Sequence, residues 1–164
     1  MRLFIAINLS EEMKNALCHI QRQMESQRVT GSFTPRENMH LTLAFIGEYP
    51  DPDAIELPPV EPFAIALEGF GCFGDLWWAG LKPCAPLNRY VSTLRHALSD
   101  DGIPFDRKKF SPHITLLRRG LGRPAVQVPY AGMVVDHISL MRSDRGKRGM
   151  IYTELCRSEL HDAT

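Results

Sequence analysis

An internal repeat restricts this chain more than any other feature of its sequence. Residues 40–47 read H-L-T-L-A-F-I-G and residues 113–120 read H-I-T-L-L-R-R-G, so histidine, threonine, leucine and glycine return at matching places. Two such copies within 164 residues point to two like structural units that face each other. The apolar, β-branched character of both segments makes them strands, and the strand period of two then sorts their residues. His40 and Thr42 point to one face, ~6–7 Å apart along the strand, while Leu41 and Leu43 point to the other. His113 and Thr115 repeat the pattern, with Ile114 and Leu116 behind them. An approximate two-fold relation between the units would bring both imidazoles and both hydroxyls to one cleft.

The rest of the chain supplies elements for two such units. "RLFIAIN" reads as a first strand; it is too short and too soon interrupted for a secretory signal. Ser10 offers a helix N-cap with Glu11 and Glu12 in the first turn, followed by Met13, Ala16, Leu17, Ile20 and Met24 at helical spacing. "TGSFTPREN" reads as a loop leading to the first histidine strand. Residues 48–62, "EYPDPDAIELPPVEP", hold five prolines and read as an extended connector. "FAIALEGFGCFG" and "LWWAGLK" are strands. Pro86 opens a second helix carrying Leu87, Tyr90, Val91, Leu94 and Leu98, which Asp101-Gly102 ends. After the second histidine strand, "MVVDHISLM" and "GMIYTELC" read as a strand pair joined by the basic turn "RSDRGKR". Strands outnumber helices without regular crossovers, so the fold class is α+β with mainly antiparallel sheet, in two pseudo-symmetric lobes around a central cleft. Residues 1–164 form one bilobal domain on this reading.

Composition narrows the classes. Hydrophobic residues make up 44% and charged residues 23%, the balance of a folded globular chain, and no apolar run approaches membrane-spanning length. Cys18, Cys72, Cys84 and Cys156 are far apart with no CxxC pair, which fits reduced thiols in a cytoplasmic protein. Net charge is zero, yet residues 101–164 carry 11 Lys+Arg against 7 Asp+Glu. The excess gathers in "DRKKF", "LLRRGLGR" and "MRSDRGKRG", a tilt that favours a phosphate-bearing ligand near the second half.

Two imidazoles and two hydroxyls in one cleft suit phosphoryl chemistry. With an unperturbed pKa of ~6.5, one histidine can be neutral and take a proton from water while a protonated one gives a proton to a leaving oxygen. Threonine hydroxyls can donate to the non-bridging oxygens of a phosphoryl group between them. This chemistry needs no metal or other cofactor. A single His-x-Thr is most often a structural histidine, and "HISL" (His137–Leu140) is a partial third copy that reads as a structural strand; the two full copies together carry the site.

On these residues the chain resembles the 2H phosphoesterase superfamily, named for two H-x-T-x motifs, and within it the LigT-like RNA 2′,3′-cyclic phosphodiesterases, also called RNA 2′,5′-ligases. The resemblance spans nearly the whole chain, including "MRLFIAINL", "TPRENMHLTLAFIGE", "WWAGLK" and "KKFSPHITLLR". It implies a bilobal fold and hydrolysis of a 2′,3′-cyclic phosphate, on RNA ends or small nucleotides, to a 2′-phosphate. By that resemblance His40 is the proton donor to the departing 3′-oxygen and His113 the acceptor that activates water; Thr42 and Thr115 contact phosphate and Arg118 binds substrate. With an RNA 5′-hydroxyl in place of water the same site would form a 2′–5′ linkage. Members usually carry a helix where this chain has its proline-rich segment.

Aromatic candidates for stacking a base are Phe45, Trp77, Trp78, Tyr152 and, first to be tested, Phe110 beside the second motif. The chain is expected to act as a monomer without a membrane partner. Open alternatives are a phosphodiesterase for small nucleotides or 2′–5′ oligoadenylate, an RNA-binding protein without catalysis, and a metallohydrolase using His40, His113 and His137.

Overall fold

The computed structural model describes residues 1–160. Along the chain lie β1 (Arg2–Asn8), α1 (Glu11–Ser26), β2 (Thr30–Phe33), β3 (His40–Glu48), β4 (Phe63–Phe73), β5 (Leu76–Leu81), α2 (Ala85–Asp100), β6 (His113–Leu121), β7 (Gly132–Val135), β8 (Ser139–Gly146) and β9 (Gly149–Arg157). Hydrogen bonding sorts the strands into one sheet of order β3-β1-β8-β9 and another of order β2-β6-β5-β4-β7. Every strand pair is antiparallel. The molecule is thus α+β and bilobal, with one histidine strand in each sheet.

Both helices bury the apolar stripe of their sequence, and α1 is capped by a side chain at its start. Ser10 Oγ accepts the Met13 N–H at 3.2 Å, and Met13, Ala16, Leu17, Ile20 and Met24 are buried. In α2 the buried stripe is Leu87, Tyr90, Val91, Leu94 and Leu98. Each helix closes with the same pair of bonds from a left-handed residue and its successor. In α2 they are Gly102 N–H to Ser99 and Ile103 N–H to Leu98; in α1 they are Arg28 N–H to Glu25 and Val29 N–H to Met24. Gly102 adopts φ 71° without strain, whereas Arg28 adopts φ 65° with a Cβ that disfavours it.

The helices are exchanged between the lobes. α1 follows β1 of the first sheet yet packs on β6 and β7 of the second, and α2 follows β5 of the second sheet yet packs on β3 of the first. One polar side chain on each helix makes this exchange specific. Gln21, buried in α1, donates through Nε2 to the carbonyls of Thr34 (2.9 Å) and Leu116 (3.1 Å). Arg95 of α2 donates to the carbonyls of Leu43 (3.0 Å through Nη2) and Lys108 (2.7 Å through Nη1). Leu43 and Leu116 are each the third residue after a repeat histidine. Thr34 and Lys108 lie in the loops that lead into His40 and His113. Each helix therefore stitches the loop before its own histidine to the other histidine's strand.

Three expectations need correction. Thr30–Phe33 is no loop; it pairs with β6 as the edge strand of the second sheet. "MVVDHISLM" is not one strand, because Gly132–Val135 pairs with β4 while Ser139–Gly146 pairs with β1 and β9. The chain crosses between sheets at Asp136–Ile138, so His137 lies in a connection, its Nδ1 2.7 Å from Asp136 Oδ1. An unbroken apolar run can serve two sheets in turn, and strand periodicity does not reveal the crossing. The proline-rich connector is extended as expected, with a short 3-10 turn at Pro52–Ala54 and buried anchors at Ile55 and Val60. Tyr90 Oη donates to Pro58 O at 2.8 Å and fixes it to α2.

Candidate active site

The alternation expected of the two histidine strands is present. Leu41, Leu43, Ile114 and Leu116 are fully buried, while His40, Thr42, His113 and Thr115 are half-buried on the opposite faces. β3 and β6 lie against one another, which brings the two faces together.

Each imidazole is held by the carbonyl two residues before it. His40 Nδ1 is 2.7 Å from Asn38 O, and His113 Nδ1 is 2.7 Å from Ser111 O. A carbonyl only accepts, so both rings carry their proton on Nδ1 when neutral and keep Nε2 for chemistry. Asn38 is itself buried and donates through Nδ2 to Met150 O at 2.9 Å, which ties the carbonyl under His40 to β9. His40 Nε2 lies 3.0 Å from Thr42 Oγ1, whereas His113 and Thr115 are not hydrogen-bonded to each other. The first hydroxyl can therefore donate to neutral His40 or, once that ring is protonated, turn its hydrogen toward a ligand oxygen.

Aromatic rings wall each histidine. Phe4 lies against His40 at 4.9 Å between centroids and Tyr152 meets it edge-on at 5.2 Å. Phe73 meets His113 edge-on at 5.3 Å and also touches Trp78 at 5.4 Å. Directly opposed residues share a face in an antiparallel pair. Trp78 opposes Thr115 and so faces the cleft side, while Trp77 opposes Leu117 and stacks on Phe70 toward the core. Gly80 opposes His113, and it is glycine because a Cβ there would meet Glu68 O at 2.7 Å and the Trp78 ring at 3.3 Å.

Burial pushes the His40 pKa down, and the positive charges of Arg118 and His113 push it the same way, against the stabilising Asn38 carbonyl. That direction favours the neutral form of His40. A ligand anion between these groups would offset the two positive charges, leaving burial as the cause that lowers its pKa.

Of the sequence candidates, the structure brings together His40, Thr42, His113, Thr115 and Arg118. Phe110 packs against the core with the Arg95 guanidinium 5.8 Å from its ring centre and lines a pocket with Trp78 and Gly80. Phe45, half on the surface, lies beneath Arg2 at 5.0 Å. Sequence reasoning missed Phe4, Phe73 and Asn38. Phe4 and Phe73 look like ordinary strand aromatics, and only the pairing of β1 with β3 and the β4–β5 hairpin brings them to the histidines. Asn38 carried one signal, its place two residues ahead of His40. Among the described residues no three His, Cys, Asp or Glu side chains converge as a metal site would require.

The model of the LigT-like phosphoesterase family matches residues 7–76 and 81–152. The chain belongs to the LigT-like phosphoesterase family. An RNA 2′,3′-cyclic phosphodiesterase of Thermus thermophilus is 34% identical over 176 residues, covering 94% of this chain and 88% of the relative. One of Geobacillus stearothermophilus is 31% identical over 165 residues and covers 88% of this chain, which spans only 52% of that longer relative. Escherichia coli LigT in its apo form superposes with a TM-score of 0.82 at 27% identity, over 98% of both chains, and the same protein complexed with 3′-AMP with a TM-score of 0.80, again at 27% identity over 98% of both chains. This LigT-like member keeps the bilobal fold while forming no α-helix between Glu48 and Phe63.

Proposed function

We propose that the protein is an RNA 2′,3′-cyclic phosphodiesterase that opens a 2′,3′-cyclic phosphate to a 2′-phosphomonoester and a free 3′-hydroxyl. One observation carries this reading: two imidazoles share one cleft, each with Nδ1–H spent on a carbonyl and with Nε2 either free, on His113, or met only by the Thr42 hydroxyl, on His40, and charge on one depresses the pKa of the other. That is the arrangement an in-line displacement requires.

In the proposed step His113 Nε2 accepts a proton from water as its oxygen attacks phosphorus. The P–O3′ bond breaks, and His40 Nε2–H delivers its proton to the departing 3′-oxygen. Thr42, Thr115 and Arg118 hold the non-bridging oxygens, where charge develops. His40 takes up the proton it donates as the anionic phosphate settles beside Arg118. An RNA 5′-hydroxyl in the place of water would leave a 2′–5′ linkage with the same proton transfers. The groups that act all come from one chain, consistent with a monomer, and four unpaired cysteines suit a reducing cytoplasm. No helix among the described residues is long and apolar enough to cross a membrane.

The reading is tested with 2′,3′-cyclic nucleotides and the isomer of the product. Formation of the 2′-phosphate supports it; a 3′-phosphate product would show that the other P–O bond breaks and would overturn the donor assignment.

A further inference from the structure

Tyr152, whose ring edge meets His40, also lines a groove of ≈ 640 Å³ that continues from the catalytic cleft. Four arginines line this groove as well, two from each lobe: Arg118 and Arg119 from β6, Arg145 and Arg148 from the β8–β9 hairpin. None of the four guanidinium groups is ion-paired with a carboxylate of the described residues, whereas Arg36, Arg142 and Arg157 each are. Four free, fixed positive charges converging from opposite lobes form a site for a polyanion.

The backbone is arranged to present them. Consecutive strand residues normally point to opposite faces, yet Arg118 and Arg119 are both exposed and both line the groove. The cause is a bulge. Ser32 opposes Arg118 and Thr30 opposes Leu121, so Gly31 alone faces Arg119 and Gly120, and Arg119 takes a left-handed φ of 53°. Gly31 sits at φ 146°, and a Cβ there would lie 2.8 Å from the carbonyl oxygens of both arginines. Strain of this kind, held beside a cleft, marks a place where side chains are aimed. On the other lobe, Arg145 follows Met141 and Ser143 at period two. Met141 opposes Phe4, the residue packed on His40, so Arg145 shares the face that carries His40.

We propose that this groove holds the sugar-phosphate backbone of single-stranded RNA immediately 5′ to the cyclic phosphate. The inference rests on the phosphodiesterase reading above. A strand ending in a 2′,3′-cyclic phosphate continues from its last ribose only through the 5′-oxygen, so any further phosphates near the site are upstream ones. The groove then makes the enzyme prefer oligonucleotide ends to cyclic mononucleotides, and Arg145 and Arg148, away from the reacting phosphorus, act on the former alone.

The test compares 2′,3′-cyclic AMP with a short oligoribonucleotide ending in a 2′,3′-cyclic phosphate, in the unmodified protein and in the Arg145→Ala/Arg148→Ala variant. Expected are a higher kcat/KM for the oligonucleotide and its loss by about tenfold or more in the variant through KM, with mononucleotide turnover within about twofold. The dependence of oligonucleotide KM on salt should also become shallower in the variant. Equal losses on both substrates, or none on the oligonucleotide, would overturn the groove's role while leaving the phosphodiesterase reading intact. Turnover of neither substrate by the unmodified protein would remove that reading and this one with it.

Discussion

At the scale of single residues, the site turns on how two chemically identical imidazoles are made different. His40 is the more enclosed, between Phe4 and Tyr152, and it senses the charges of Arg118 and His113. Its pKa is lowered in the free protein, so as pH rises through a value below ~6.5 the proton needed by the departing oxygen is lost. The alkaline limb of kcat/KM, which reports the free enzyme, should therefore begin below that value. The alkaline limb of kcat, which reports the complex, should lie at higher pH because the bound phosphate raises His40. Coincident limbs in the two profiles would contradict this account. Thr42→Ala removes the bond to His40 Nε2 and should lower kcat by about 10- to 100-fold with an unchanged melting temperature, since the hydroxyl faces the cleft. The four motif residues were legible in the sequence because strand period and repetition together fix a shared face. The rings around the histidines were not, because aromatic neighbours across strands depend on register.

The elements carry the device that keeps the two motifs in register with each other. Gln21 and Arg95 occupy equivalent places on α1 and α2, and each bridges one motif's loop to the other's strand. Arg95→Met would leave Leu43 O without that donor, costing roughly 1–3 kcal/mol, so thermal unfolding should show a melting point lower by several degrees. Because Leu43 lies in β3, kcat should fall at temperatures where the variant is folded. Arg28→Gly should have the opposite effect on stability. Arg28 holds a left-handed φ that glycine takes freely, so the variant should gain up to about 1 kcal/mol and melt later. The helices themselves were plain in the sequence, from Ser10 and the apolar stripes. Their exchange between lobes was not, because a helix's own periodicity says which face is buried but not against which sheet. Likewise "TGSF" lacks a strand's apolar alternation; it pairs because β6 offers it an edge and because Gly31 tolerates the bulge there.

For the whole molecule, a net charge of zero conceals an uneven distribution. Basic clusters that looked like separate turns in the sequence converge in space, since "LLRRG" and "RGKRG" reach one groove from two sheets. "DRKKF" does not join them: Asp106 N–H bonds Phe45 O and Lys108 O accepts from Arg95, so that cluster serves the link between motif strands. The two-fold plan also explains how one chain builds a site whose halves differ. Each repeat supplies histidine and threonine in the same frame, and the unlike sheets of four and five strands supply unlike surroundings. The most direct measurement of the central claim is turnover of a 2′,3′-cyclic nucleotide by the unmodified protein and by its His40→Ala and His113→Ala variants, with the variants shown to be folded. The account predicts a 2′-phosphate product from the unmodified protein and losses of about 10²- to 10⁴-fold in each variant. Undiminished activity in either variant would contradict it.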